Sequence, residues 1–384
     1  APQQAEVVIT ATDGATMHQG RIVSLNGERV WAAMGVALYG NYLPQNVCVG
    51  QRWAMTLRFR AVHGELNDGG YDSQKNAFAR HQTLSGRFTH AALVDEGCSL
   101  RAQYLTSLQN TLSAYQWGPV ILGLGMGERL SVSREIKNLM RDTGTMHLMA
   151  ISGLHIALAA SVIWFLARGI QFFLPGRWII WQIPLLAGLI FAAFYAWLTG
   201  LQPPALRTVI ALVVLAALKM SGRQWSPWQV WLTCVAAILI FDPLAVLSQS
   251  LALSAFAVAA LIFWYQWLPL PHWQRGRCLR PLATLVYLQV GMLLLLLPLQ
   301  VLIFHGFSLS SLVANLFAVP LVTFISVPLI LLGMFLHLFP VAALESIVWL
   351  ATDKSLAGLF WLLMRLPNGW QDVDERWQYL TLLP

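Results

Sequence analysis

From about residue 147 onward the chain is a succession of apolar runs, most of them close to the length that crosses a lipid bilayer. They fall at about 147–167, 178–198, 204–219, 228–247, 250–268, 282–304, 309–338 and 342–366. A spanning helix needs about 20 apolar residues to cross a hydrocarbon layer about 30 Å thick. A soluble core that long and that uniformly apolar has no counterpart among globular domains, so a bilayer must cover it. The seventh run carries Pro320 and Pro328. It reads either as an interfacial helix followed by a span or as one span with a broken middle, which leaves seven or eight crossings.

Composition locates the boundary of this region. Of 384 residues, 57% are hydrophobic and 11% are charged, less than half the roughly 25% charged fraction of an ordinary soluble domain. Residues 1–145 hold 13 Lys/Arg and 11 Asp/Glu, an ordinary soluble surface, whereas residues 146–384 hold 11 and six. The formal net charge of +7 is too small to argue for a dedicated nucleic-acid surface on charge alone.

The front domain reads as short strands. Glu6–Thr12, Arg21–Leu25, Glu28–Met34, Val36–Tyr39, Arg52–Val62 and Ser85–Val94 alternate apolar and polar residues between Gly, Asn and Pro breaks. Asn26-Gly27 is a hairpin signal. Five or six strands with one helical insert near Ser73–His81 suit a small barrel such as an OB-fold. Helical periodicity follows over Leu100–Trp117. Ser133–Arg141 forms a short amphipathic helix, with Ser131 or Ser133 as N-cap and Glu135 near the favoured capping position.

The predicted fold class is therefore an α+β membrane protein, a small N-terminal OB-like barrel followed by a polytopic bundle of seven to eight helices. The expected organisation is an OB-like domain over 1–103, an amphipathic helical connector over 104–145, a membrane domain over 146–370 and a tail over 371–384. The chain opens without an initiator Met or a signal peptide and reads as a region of a longer protein.

Loop charges orient the bundle. Arg168, Arg177, Lys219, Arg223, Arg275, Arg277 and Arg280 follow the first, third and fifth runs, while the alternate loops hold only Arg207, at a helix start. By the positive-inside rule this puts the front domain outside the cytoplasm.

Four cysteines are present. Cys234 lies in an apolar run and Cys278 in a basic loop. Cys48 and Cys98 share the front domain, and two readings are open: a disulfide, contributing about 4 kcal/mol through loop entropy in an oxidising compartment, or two small buried hydrophobes.

Polar residues inside the apolar runs mark the candidate site. In Thr143-Gly-Thr-Met-His-Leu-Met-Ala-Ile-Ser-Gly-Leu-His-Ile-Ala157, His147, Ile151 and His155 recur at intervals of four, on one face of a helix. Ser152-Gly153 supplies a small patch that another segment can approach. Such a face looks either at a packed bundle interior or at a water-filled path. Pro203-Pro204 breaks the backbone and sets Arg207 in the first turn of a helix, where it contacts a phosphate, pairs with Asp242 or snorkels to the interface. Asp242-Pro and Ser254 flank a second turn, and Asn315 to Pro320 a third. Polar, broken positions on four segments are how a translocation path is built.

Gly123, Gly125 and Gly127 lack the ending and spacing of a nucleotide loop and read as a helix end or bend. No zinc-like ligand spacing, Ser-His-Asp set or paired carboxylates stand out. The expectation is no cofactor, no metal and no enzymatic activity in this chain.

These residues carry a resemblance. Gly-Leu-Gly-Met-Gly-Glu-Arg-Leu-Ser131 and Gly144-Thr-Met-His-Leu-Met-Ala-Ile-Ser-Gly-Leu-His155 resemble the hallmark of the ComEC family of competence proteins. So does the order Pro-Pro-Ala-Leu-Arg207, Asp242-Pro, Leu-Ala-Leu-Ser254 and Asn315 to Pro320. Asn67-Asp-Gly-Gly-Tyr-Asp72 with Gly86-Arg-Phe88 is similar to the end of that family's OB-like domain.

The resemblance implies a multi-pass channel of the bacterial inner membrane that passes single-stranded DNA inward during natural transformation. It implies a path along His147, Ser152, Gly153, His155, Pro203, Pro204, Arg207, Asp242, Ser254, Asn315 and Pro320. On the barrel it implies DNA contacts from Arg58, Arg60, Tyr71, Lys75, Phe78, Arg80 and Arg87, where the plain alternative is a solvated surface. The implied partners are single-stranded DNA, the lipid bilayer and a separate cytoplasmic motor or DNA-receiving protein, with the oligomeric state open. Family members typically carry further helices before the OB-like domain and often a metallo-β-lactamase-like domain after the channel; neither is in this sequence, so no nuclease activity is assigned to it. The competing readings are a secondary transporter for a small solute and a membrane scaffold that binds a partner through the barrel.

Overall fold

The computed structural model describes residues 2–12, 17–40, 47–64, 72–129, 131–149, 151–176, 179–269 and 280–373. The chain divides into two units, one of residues 1–107 with 243–249 and one of 108–242 with 250–384.

The first unit is a closed five-stranded barrel in the order β1-β2-β3-β5-β4, formed by β1 (Gln3–Thr12), β2 (Met17–Leu25), β3 (Glu28–Gly40), β4 (Arg52–Ala61) and β5 (Leu84–Asp95). All pairings are antiparallel except β3 with β5. This is the OB-like arrangement that the strand pattern predicts. Alternation drives it: Ala5, Val7 and Ile9 on β1 and Trp53, Met55 and Leu57 on β4 point inward at a period of two. With Ile22, Val36, Leu38 and Phe88 they make one core.

The hairpin turn is the one the sequence announces, with Asn26 at φ 50° and Gly27 at φ 88°, the left-handed pair of a two-residue turn. The two runs Glu28–Met34 and Val36–Tyr39 form one strand, β3. A bulge between the pairs Ser24–Arg29 and Ile22–Met34 bends it, so the sheet closes without a chain break. The helical insert α1 (Ser73–Ala79) is capped by Asp72, whose carboxylate accepts from the Lys75 N–H at 2.9 Å. Cys48 and Cys98 are bonded, with Cα atoms 5.8 Å apart.

Helix α2 (Leu100–Leu112) leads out of the barrel unit. The helical unit then comprises α3 (Gly118–Met126), α4 (Arg134–Asp142), a 3₁₀ turn (Met146–Met149), α5 (Gly153–Phe172), α6 (Gln182–Leu198), α7 (Pro203–Met220), α8 (Pro227–Phe241), α9 (Gln249–Trp267) and α10 (Arg280–Phe304). After a short strand β6 (Gly306–Ser308), α11 (Ser311–Leu321), a π-helical turn (Val322–Ser326) and α12 (Val327–Leu336) run on, followed by α13 (Ala342–Leu363) and β7 (Trp370–Asp372), which pairs with β6. A second 3₁₀ turn, Pro243–Leu247, belongs to the barrel unit and packs against α1.

Among the described residues, six helices are long and apolar enough to cross a membrane, and Gln182–Leu198 and Pro227–Phe241 are shorter apolar helices. Their outward faces are apolar: Phe165, Ile190, Ile240 and Phe324 are 67%, 70%, 82% and 72% exposed, which water would penalise and lipid accepts. The protein is a multi-pass membrane protein. Ser311–Leu336 and Ala342–Leu363 are 44% buried, against 11% for Gln249–Trp267 and Ala283–Phe304, so the former sit deeper in the bundle.

Three local expectations change. The seventh run is not interrupted: Pro320 and the π turn are absorbed within one continuous helical path from Ser311 to Leu336. The first spanning helix starts at Gly153, not near 147. And the stretch 104–145 is not an amphipathic connector throughout, because α3 is an apolar half-helix buried over Gly118 and Val120–Met126.

Candidate functional site

The hallmark stretch is broken rather than helical from end to end. Ser133 caps α4 by accepting from the Ile136 N–H. After α4, Gly144 adopts φ +68°, and a Cβ there would come within 2.5 Å of Ser311 Cβ. The chain then makes its 3₁₀ turn over Met146–Met149, is not helical at Ile151, and enters helix again where Ser152 accepts from the His155 N–H at 3.4 Å. His147, Ile151 and His155 therefore do not share a helical face. His147 is exposed, while Ile151 and His155 are 1% exposed. A serine is a good N-cap because its hydroxyl satisfies a backbone donor that no helical carbonyl reaches. In a bilayer that preference overrides apolar periodicity.

Gly153 is the contact point of α5 with α7: a Cβ there would lie 2.6 Å from Thr208 Oγ1. This close approach is the expected use of Ser152-Gly153. Pro203 and Pro204 open α7, where missing N–H groups cost nothing. The next turn brings in Arg207, 8% exposed. Its Nε donates to the Pro203 carbonyl at 3.0 Å and its Nη2 to Ser250 Oγ at 2.8 Å. Asp242, which ends α8, interacts electrostatically with it. Arg207 is thus a largely buried cation near an acid.

Ser254 hydrogen-bonds within its own helix, donating to the Leu251 carbonyl. Asn315 and Pro320 both lie on α11. Among the described residues, buried side-chain atoms without a hydrogen-bond partner include His155 Nδ1, Arg207 Nη1, Asn315 Oδ1 and Thr323 Oγ1. Three of these four fall on residues singled out as path residues from sequence. Leaving a polar group buried and unsatisfied costs on the order of 1–3 kcal/mol, so such groups need a reason.

The glycines read as a helix end are one, the end of α3, but the buried half-helix before them is not among the expected elements. Gly125 and Gly127 belong to its buried C-terminal end, where the Tyr195 hydroxyl donates to the Gly125 carbonyl at 3.1 Å. Gly127 closes α3 at φ +77°, beside Ile151 and the Thr199 carbonyl. At the other end the Trp117 N–H donates to Asp353 Oδ1 at 2.8 Å. An acid in the middle of the last apolar run was the available signal for this.

On the barrel, Arg58 and Arg87 are exposed and directly opposite each other across β4 and β5, and Arg60 stands opposite Ser85. Lys75 and Phe78 lie on α1, with Arg80 at its C-cap. Tyr71 lies outside the described residues, as do Arg177, Arg275, Arg277 and Cys278.

The Competence protein family matches residues 124–383. The chain is 62% identical to YcaI of Escherichia coli K12 over all of this chain and 51% of that protein. It is 34% identical to Recombination protein 2 of Haemophilus influenzae over 84% of this chain and 41% of the relative. It is 32% identical to competence protein ComA of Neisseria gonorrhoeae over 85% and 47%. No solved structure matches. The chain spans about half the length or less of these curated relatives. With two thirds of its residues matched and the hallmark stretch folded as one contiguous set of breaks and close approaches, the chain belongs to the competence protein family.

Proposed function

We propose that this chain is the conducting region of a channel of the bacterial inner membrane that admits single-stranded DNA during natural transformation. The observation that carries the reading is the set of buried polar atoms without a protein partner at His155, Arg207 and Asn315, on three different helices of an apolar bundle. In hydrocarbon such atoms are costly unless a hydrated or polar cargo meets them. Relatives named for recombination and competence support DNA as that cargo. The basic residues Arg168 and Lys219, near the C-terminal ends of α5 and α7, and Arg223 in the loop after α7 support an extracytoplasmic barrel. The path further includes Ser152, Gly153, Pro203, Pro204, Asp242 and Pro320 as the residues that shape the breaks, with His147 and Ser254 at its margins.

Deletion of the intact gene tests this, with labelled duplex supplied outside and nuclease-resistant label scored in the cytoplasm. Loss of uptake is the expected result, and unchanged uptake overturns the proposal. A small-solute carrier would show no change in DNA uptake and a defect in accumulation of its solute.

A further inference from the structure

Helix α13 is the least apolar of the six long spans and carries three charged residues, Glu345, Asp353 and Lys354. Both acids are matched. Glu345 accepts from the Trp349 ring N–H at 2.9 Å and meets His337 at 2.7 Å, and Asp353 accepts from the Trp117 N–H at 2.8 Å. Lys354 is exposed instead, and among the described residues it makes no hydrogen bond or ion pair. With a rise of about 1.5 Å per residue, Lys354 stands about 18 Å from Ala342 and about 14 Å from Leu363. That is close to the middle of a hydrocarbon layer about 30 Å thick. A four-carbon stem does not reach the interface from there, so snorkelling would leave the ammonium in lipid. An ammonium at that depth needs water or an anion beside it.

The surface beside it is polar as well. The Trp117–Asp353 bond holds the end of the turn between α2 and α3 at this depth, and Gln116 and Lys354 are the chain neighbours of its two partners. Ser113 and Gln116 in that turn are exposed, as is Asn110 one helical turn earlier. Ser113 returns its hydroxyl to the Asn110 carbonyl. The side-chain amides of Asn110 and Gln116 have no partner among the described residues, and lipid would leave them unsatisfied. On α13 the residues one turn from Lys354 on its own face are Leu350, Ala351 and Gly358. A Cβ on Gly358 would meet nothing within 4 Å, so there is room beside the cation. An unmatched ammonium and an unmatched amide, adjacent to one buried hydrogen bond at mid-depth, are the marks of a surface that meets water rather than lipid.

We propose that Lys354 and Gln116 line a water-filled section of the transport path at mid-depth, where the Lys354 ammonium meets the phosphodiester anions of the passing strand. One ammonium among uncharged amides suits passage, because a conducting site must bind weakly enough to release its cargo. The inference rests on the channel reading above. It adds to that reading a cation from α13 and a wall from the α2–α3 turn, neither of which the sequence singled out.

Single cysteine variants test it, made in the full-length protein with Cys234→Ser and Cys278→Ser and reconstituted in liposomes. A membrane-impermeant methanethiosulfonate should modify the Lys354→Cys and Gln116→Cys variants about tenfold faster than Ile240→Cys and Phe324→Cys on the exposed apolar faces, because only a hydrated thiol ionises and reacts. Oligothymidylate should slow modification of the Lys354→Cys variant. In cells that variant should lose DNA uptake and Lys354→Arg should keep it. Attaching an aminoethyl group to the new thiol rebuilds the ammonium and should restore uptake, whereas a sulfonatoethyl group should not, a difference that a merely structural role would not produce. If the Lys354→Cys variant reacts no faster than Ile240→Cys, the lysine faces lipid and the proposal is wrong, while loss of uptake on gene deletion would leave the channel standing. If it reacts fast but oligothymidylate gives no protection and the sulfonatoethyl form takes up DNA normally, the surface is aqueous without being on the DNA path, and the proposal fails equally. Unchanged uptake on gene deletion removes the channel reading and this inference with it.

Discussion

Asp353 lies mid-way along α13 and is 8% exposed. Its carboxylate accepts from the Trp117 N–H at 2.8 Å, at the start of the buried half-helix α3. No side chain of α2 or α3 caps that end, and Pro119 at the second helical position has no N–H to offer. The Trp117 ring stacks on Phe360 with centroids 4.3 Å apart and planes 4° from parallel, so both partners of α3's N-terminus come from one face of α13. Asp353→Ala leaves a buried N–H without an acceptor at the positive end of the helix dipole. A hydrogen bond to a charged group contributes about 1.5–3 kcal/mol, and a favourable charge at a buried helix end up to about 2. The two overlap, so the expected loss is about 3 kcal/mol, roughly a 150-fold shift in the folding equilibrium. Asp353→Asn keeps an acceptor oxygen and should lose about half of that. Lys354→Ala, at the exposed neighbouring position, should stay within about 0.5 kcal/mol of wild type. Denaturant titration in detergent, followed by tryptophan fluorescence, reads all three. If Asp353→Ala unfolds with the wild-type midpoint, or no earlier than Asp353→Asn, the carboxylate does not hold α3 and the account of the half-helix is wrong.

In the full-length protein, Arg207→Ala and His155→Ala should each abolish DNA uptake at unchanged membrane abundance; wild-type uptake in both would remove them from the path. Gly153→Ala should destabilise the bundle by about 1–3 kcal/mol through overpacking against Thr208 Oγ1, and a coupled Thr208→Ala change should recover part of it, so strict additivity in the double-mutant cycle would contradict the α5–α7 contact. Cys48→Ser should lower barrel stability by about 4 kcal/mol, the loop-entropy value for a 50-residue separation, and an unfolding midpoint insensitive to reductant in the wild type would show that the bond contributes nothing.

Much of this was legible in the sequence because it is local. The apolar runs, the Asn26-Gly27 turn and the Ser133 cap depend on residues within a few positions of one another. Hydrophobicity summed over a span is enough to commit a segment to lipid, and alternation is enough to make β1 and β4 strands. The polar residues of the hallmark stretch were legible as a group for the same reason, though their geometry was not. Ser152 begins a helix where periodicity alone continued one, because an unsatisfied backbone donor costs more in hydrocarbon than a lost apolar repeat.

Three features needed the tertiary structure. The nine residues of α3 are too short to register as a span, and they are helical because Asp353, Tyr195 and the surrounding helices satisfy their ends. Arg207 meets Ser250 across 43 residues of chain. The parallel pairing of β3 with β5 closes the barrel and sets Tyr39 beside Arg87. The sequence by itself determined which segments enter the bilayer and which form strands, since solvent transfer and local sterics act on each segment separately. Which polar groups end up face to face was decided only by the fold, because burial in a low-dielectric interior makes every unpaired donor or charge seek a partner wherever the packed chain brings one within reach.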